Sequence, residues 1–82
     1  TSYPQILVNA RVKKENKEKY REDFVIMEEI KAIEEKMTGQ GRVLIRPSGT
    51  EALVRVMLEG KNQNELNIMA TNLARLIEER LG

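Results

Sequence analysis

Hydrophobic and polar residues alternate at the start of the chain. Ile6, Val8, Ala10 and Val12 interleave with Leu7, Asn9, Arg11 and Lys13, the period-two pattern of a half-buried strand. Pro4 stands just ahead of it, where a missing N–H costs least. The mixed-charge run KKENKEK, residues 13–19, breaks the alternation. It reads as a solvated connection with room for a helical turn, because its glutamates dilute the field a basic binding tract would need. From Asp23, a good N-cap residue, the period lengthens to that of a helix reaching about Thr38. Ile26, Ile30, Ile33 and Met37 form its apolar stripe, with Phe24 and Met27 expected beside it and Glu28, Glu29, Glu34 and Glu35 outside. Gly39-Gln40-Gly41 supplies the chemistry of a helix C-cap.

Alternation then returns. Residues 42–46 predict a second strand and residues 52–59 a third, in which Val54, Val56 and Leu58 share one face and Leu53, Arg55, Met57 and Glu59 the other. Gly60 closes that strand. Asn62 with Glu65 three residues on resembles a capping box that opens a helix to about Leu81. Its stripe is Leu66, Met69, Leu73, Leu76 or Ile77, and Leu81, and Met27, Met57 and Met69 are expected to fill the core. The order is β-α-β-β-α, without repeats or low-complexity tracts. One-sided stripes and one-sided alternation together predict an α+β two-layer sandwich, a mainly antiparallel sheet with both helices on one face.

Composition narrows what such a fold can do. Eighty-two residues make a single domain, residues 1–82, near the lower limit for one unstapled core. Cysteine and histidine are both absent, which removes thiolate metal sites, disulfides and the commonest general base. Lack of cysteine fits a reducing, cytoplasmic setting. No apolar run is long enough to span a membrane. A net charge of +1, from 14 basic and 13 acidic residues, together with scarce aromatics, disfavours nucleic-acid binding. The chain opens with Thr1 and no initiator methionine, directly before a strand, as expected of a domain excised from a larger protein and monomeric on its own.

Between the second and third strands lies a polar knot, Arg46-Pro47-Ser48-Gly49-Thr50-Glu51. Pro47 fixes its own φ and pushes Arg46 into extended backbone. Gly49 is expected to adopt positive φ and let neighbouring N–H groups converge into an anion-binding concavity. Ser48 and Thr50 add hydroxyls, and the Arg46 guanidinium matches phosphate oxygens bidentately. The knot has neither the spacing of a P-loop nor a helix behind it. Two readings stay open on the residues alone: a phosphate site, or a hairpin loop whose hydroxyls satisfy its own backbone. Glu51 counts against the first unless it is turned away or paired, for instance with Arg42 or Arg55. For Arg55 itself, an ion pair with Glu51 or Glu59 is expected rather than a ligand contact.

The segment RPSGTEALVRVMLEG, residues 46–60, resembles the phosphate-binding loop and following strand of the α-D-phosphohexomutases. With YPQILVNARV at residues 3–12, it is most similar to the bacterial phosphoglucosamine mutase branch, and the resemblance covers the whole chain as a C-terminal, fourth domain. It implies a TATA-box-binding-protein-like fold. It implies that Arg46, Ser48, Gly49 and Thr50 bind the non-reacting phosphate of a sugar phosphate, that Pro47 shapes the loop, and that no catalytic or metal-binding residue lies in this chain. A phosphoserine and Mg²⁺ would sit in other domains of the parent enzyme, leaving the isolated domain inactive and without a bound cofactor. The same loop occurs in phosphomannomutase/phosphoglucomutase and phosphoacetylglucosamine mutase branches. One position departs from the family pattern, Ala52, where proline usually follows the glutamate. Rival classes are a KH-like nucleic-acid module, whose GxxG loop Gly39-Gln40-Gly41 does not supply, and a purely structural module.

Overall fold

A computed structural model describes residues 3–37 and 40–82. Strands β1 (Gln5–Arg11), β2 (Arg42–Pro47) and β3 (Leu53–Glu59) form a three-stranded sheet in the order β1-β3-β2, antiparallel throughout. Helices α1 (Phe24–Lys36) and α2 (Gln63–Leu81) pack on one face, α2 against β1 and β3, α1 against β2 and α2. Two short 3₁₀ turns, Lys14–Asn16 and Lys19–Glu22, bridge β1 to α1. The expected β-α-β-β-α sandwich is therefore the observed one.

The alternation predicted from sequence decides which side is covered. Val54, Val56 and Leu58 on the central strand are fully buried, with Ala10 and Val12 from the β1 side. They meet Ile26, Ile30, Ile33 and Met37 of α1 and its end, and Leu66, Leu73, Ile77 and Leu81 of α2. Ala70 and Ala74 are buried too, small residues that let α2 lie close to the sheet. The stripe read from sequence overlooked them because it followed the large residues. Met69 and Leu76 only flank the core.

Two expectations about α1 fail for a geometric reason. Phe24 is 76% exposed and Met27 41% exposed. At 3.6 residues per turn, Phe24 lies about 160° and Met27 about 90° around the helix from the buried stripe, so neither can reach the core. Among the supposed core methionines, Met57 is half-buried on the uncovered sheet face and Met69 half-buried beside the core. The predicted helix end at Thr38 and the cap residue Gly39 lie outside the described residues. Gly41 answers a steric need: a Cβ there would run into the Glu59 carbonyl oxygen. No helix among the described residues is long and apolar enough to cross a membrane.

Caps hold both helices as their sequences imply. The Asn62 side chain accepts the Glu65 N–H at 3.0 Å, and Asp23 Oδ1 accepts the Ile26 N–H at 3.0 Å. Asp23 also receives Arg80 Nε at 2.7 Å, joining the start of α1 to the last turn of α2. Desolvation works to raise the Asp23 pKa, but hydrogen bonds from Arg80 and the Ile26 N–H, with the Arg80 charge, outweigh it and hold the carboxyl below its ordinary value. A carboxyl depressed in the folded state adds stability above its unfolded pKa and loses it as pH falls through the folded one. Asp23→Asn keeps a capping oxygen and removes the ion pair, whereas Asp23→Ala removes both. We expect Ala to cost about 1 kcal/mol more than Asn near neutral pH. The gap between wild type and Asp23→Asn should begin to narrow in denaturation curves as pH falls below about 4 and go on closing at lower pH.

Candidate anion-binding site

Strand β2 carries the chain to the polar knot at the end of the sheet. Its register with β3 sets Pro47 opposite Val54 and Arg46 opposite Arg55, so residues 48–52 must turn the chain back. Ser48 closes that turn. Its N–H donates to the Leu53 carbonyl at 2.9 Å. Its Oγ accepts the Glu51 N–H at 3.1 Å and, more weakly, the Thr50 N–H at 3.4 Å. At 6% exposure Ser48 is the one buried polar residue among those described. Its two acceptor lone pairs are engaged, which leaves the hydroxyl hydrogen as a donor.

Gly49 departs from expectation. Its φ lies outside the left-handed region, and a Cβ there would meet nothing within 4 Å. The turn is organised by the Ser48 side chain, not by a left-handed glycine. What Gly49 offers is an open, exposed approach to its backbone. Its N–H and the exposed Thr50 hydroxyl make no hydrogen bond within the described residues. Ala52 bonds through its carbonyl, which accepts the Val12 N–H at 3.1 Å. Proline could make that bond equally well, so the exchange at this position leaves the turn's hydrogen bonding intact.

Arg46 leaves the knot on the uncovered face of the sheet. There the strands set Asn9, Arg55 and Arg46 in one row and Leu7, Met57 and Leu44 in the next. Leu7, Leu44, Arg46, Arg55 and Met57 line a shallow hollow of about 250 Å³. The expected ion pair of Arg55 with Glu51 or Glu59 is absent, because Glu59 is taken by Arg42 at 3.1 Å and accepts Gln5 Nε2 at 3.4 Å. Glu51 makes no ion pair with Arg42 or Arg55. Among the described residues, Arg46 and Arg55 thus have no carboxylate partner. Two guanidinium groups directly opposite across a ladder repel each other, and an anion would relieve that repulsion. The structure therefore gathers Ser48, Thr50 and Glu51 into one hydrogen-bonded turn and sets Arg46 beside Arg55. Sequence reasoning gave Arg55 an ion pair, whereas the register sets it opposite Arg46. Its signal was its position two residues from Met57 on the face away from Val54 and Val56.

Lys17 is the other surprise. It falls within the run read as a solvated connection, yet it is half-buried and its Nζ donates to the Ser48 carbonyl at 2.7 Å. No group of three or more His, Cys, Asp or Glu residues that could hold a metal ion occurs among the described residues.

A three-stranded antiparallel sheet with two helices on one face and a polar turn at its end is an architecture shared with phosphohexomutase C-terminal domains. Residues 7–76 match the family described as the phosphoglucomutase/phosphomannomutase C-terminal domain, and the chain belongs to that family. Within it the chain is 73% identical over its full length to the phosphoglucosamine mutase of Alkaliphilus oremlandii and 60% identical to that of Clostridioides difficile. It spans 18% of the length of each. Among solved structures, the Aspergillus fumigatus N-acetylphosphoglucosamine mutase in complex with GlcNAc-6P and magnesium superposes with a TM-score of 0.79 at 25% identity. That match covers all of this chain and 16% of the fungal one.

The Arg46–Arg55 juxtaposition should show in the stability of this domain both without and with an anion. Arg55→Gln should raise the thermal midpoint by about 2 °C at low ionic strength. Millimolar inorganic phosphate should narrow the difference by stabilising the wild type more. Scanning calorimetry with and without phosphate measures both.

Proposed function

We propose that this chain is the substrate phosphate-binding domain of a phosphoglucosamine mutase, which interconverts glucosamine 6-phosphate and glucosamine 1-phosphate. The observation that carries the reading is the Arg46–Arg55 pair, without a carboxylate partner among the described residues, beside a turn whose Gly49 N–H and Thr50 hydroxyl make no hydrogen bond among them. The 60–73% identity to bacterial phosphoglucosamine mutases supports the choice of sugar.

A phosphate dianion suits this inventory. Arg46 supplies a fixed fork of donors, Thr50 a hydroxyl, Gly49 a backbone N–H and Ser48 its remaining O–H hydrogen, while Pro47 holds the strand end that presents them. Arg55 adds a second cation. Hydrogen bonds to a charged group are worth about 1.5–3 kcal/mol each, enough in combination to orient a sugar phosphate while still letting it leave. Glu51 donates its own N–H to Ser48, so it serves the turn through its backbone.

The chain holds no group suited to the chemical step. It contains no histidine, and its one aspartate, Asp23, caps a helix and pairs with Arg80. Transfer would occur at a phosphoserine in another domain of the parent. The serine phosphoryl passes to the free sugar hydroxyl, the bisphosphate reorients, and the other phosphoryl returns to the serine. Magnesium, present in the fungal structure, would belong to that distant centre, since no cluster of His, Cys, Asp or Glu among the described residues could hold it. This domain grips whichever phosphate is not reacting. Binding energy from that remote group then orients the reacting end. The partners are the phosphosugar and the remaining domains of the parent, and the reaction is one of cytoplasmic amino-sugar metabolism.

In the intact enzyme, Arg46→Ala should lower kcat/KM for glucosamine 6-phosphate by about a hundredfold. Phosphorylation of the serine by a bisphosphate donor should suffer less. Turnover at the wild-type level in that variant would overturn the role.

A further inference from the structure

The charged connection between β1 and α1 touches the phosphate turn at two carbonyls, one on each side of Arg46 and Pro47. Tyr20, only 5% exposed, donates its hydroxyl to the Ile45 carbonyl at 3.2 Å. Lys17 Nζ donates to the Ser48 carbonyl at 2.7 Å. The connection is itself fixed at its base, where the Lys13 N–H and Asn16 Nδ2 both reach the Leu81 carbonyl at 3.0 Å. Arg21 lies over the Tyr20 ring at 5.4 Å, and its Nε donates to the Tyr20 hydroxyl at 3.1 Å. A segment that looks solvent-bound is thus a strap across the back of the turn.

Lys17 does more than close a gap. Its ammonium engages the oxygen of the peptide unit that joins Ser48 to Gly49, and the N–H of that same unit is the Gly49 donor that makes no hydrogen bond among the described residues. A cation on the oxygen end of an amide draws electron density toward it and makes the N–H a stronger donor, the cooperative polarisation of linked hydrogen bonds. Among the described residues Lys17 makes no ion pair, although Glu15 and Glu18 lie close in sequence. Its charge is spent on the carbonyl.

We propose that Lys17 is a positioning residue for the phosphate turn: its ammonium fixes and polarises the Ser48–Gly49 peptide so that the Gly49 N–H serves as an anion donor. The inference rests on the phosphate-binding reading above. It predicts an effect on the ligand from a side chain that acts only through the backbone.

The test uses the intact mutase with Lys17→Met, Lys17→Arg and Arg46→Ala prepared in parallel. Lys17→Met should raise KM for glucosamine 6-phosphate about five- to tenfold, with kcat within about twofold and the thermal midpoint within about 2 °C of wild type. Lys17→Arg, which keeps a cationic donor, should recover most of the KM. A merely structural contact would move the midpoint and kcat together and would not be rescued selectively in KM. An unchanged KM in Lys17→Met, beside a raised KM in Arg46→Ala, overturns the positioning role and leaves the phosphate reading standing. If Arg46→Ala is also without effect, the phosphate reading fails and this inference fails with it.

Discussion

The register of the central strand is the constraint on which everything else depends. Val54, Val56 and Leu58 point into the core with no exposure. Because strand side chains alternate, Leu53, Arg55, Met57 and Glu59 must then face away from the helices. Pairing β3 antiparallel to both neighbours fixes what stands beside each of them. A slip of one residue would bury Arg55 and expose the valines, so hydrophobic burial on one face sets the charge pattern on the other. The juxtaposition of Arg46 with Arg55 is thus a consequence of core packing.

That juxtaposition is unfavourable in the absence of an anion, and the fold supports it from behind. Ser48 ties the turn to itself and to Leu53, while Tyr20 and Lys17 tie the same stretch to the connection before α1. These contacts tie the backbone on both sides of Arg46, and among the described residues the Gly49 N–H and Thr50 hydroxyl make no hydrogen bond. Under the proposed phosphate role, donors held in place beforehand would need little ordering on binding, so more of their interaction energy would reach the complex.

Much of this was legible in the sequence, and what was missed has a common cause. Alternation and helical periodicity located all three strands and both helices, because burying one face is the strongest local demand on the chain. The knot stood out by its chemistry, and the structure shows residues 48–51 joined in one hydrogen-bonded turn. Phe24 and Met27 were misplaced because side-chain type was weighed above helical angle. The positive φ expected of Gly49 was not needed, since a serine hydroxyl could organise the turn instead. Lys17, Tyr20 and the Arg55–Arg46 pair were hidden because each depends on a contact between residues far apart in the chain. No periodicity announces that a lysine among six other charged or amide residues will turn inward.

The central claim is that this domain holds one phosphate of a phosphosugar through residues 46–50, with Arg55 beside them. The most direct measurement is a crystal structure of the intact mutase with glucosamine 6-phosphate bound. The account predicts a phosphate within hydrogen-bonding distance of the Arg46 guanidinium, the Gly49 N–H and the Thr50 hydroxyl, with Arg55 turned toward it. A phosphate held wholly by other domains, with this turn facing only water, would contradict it.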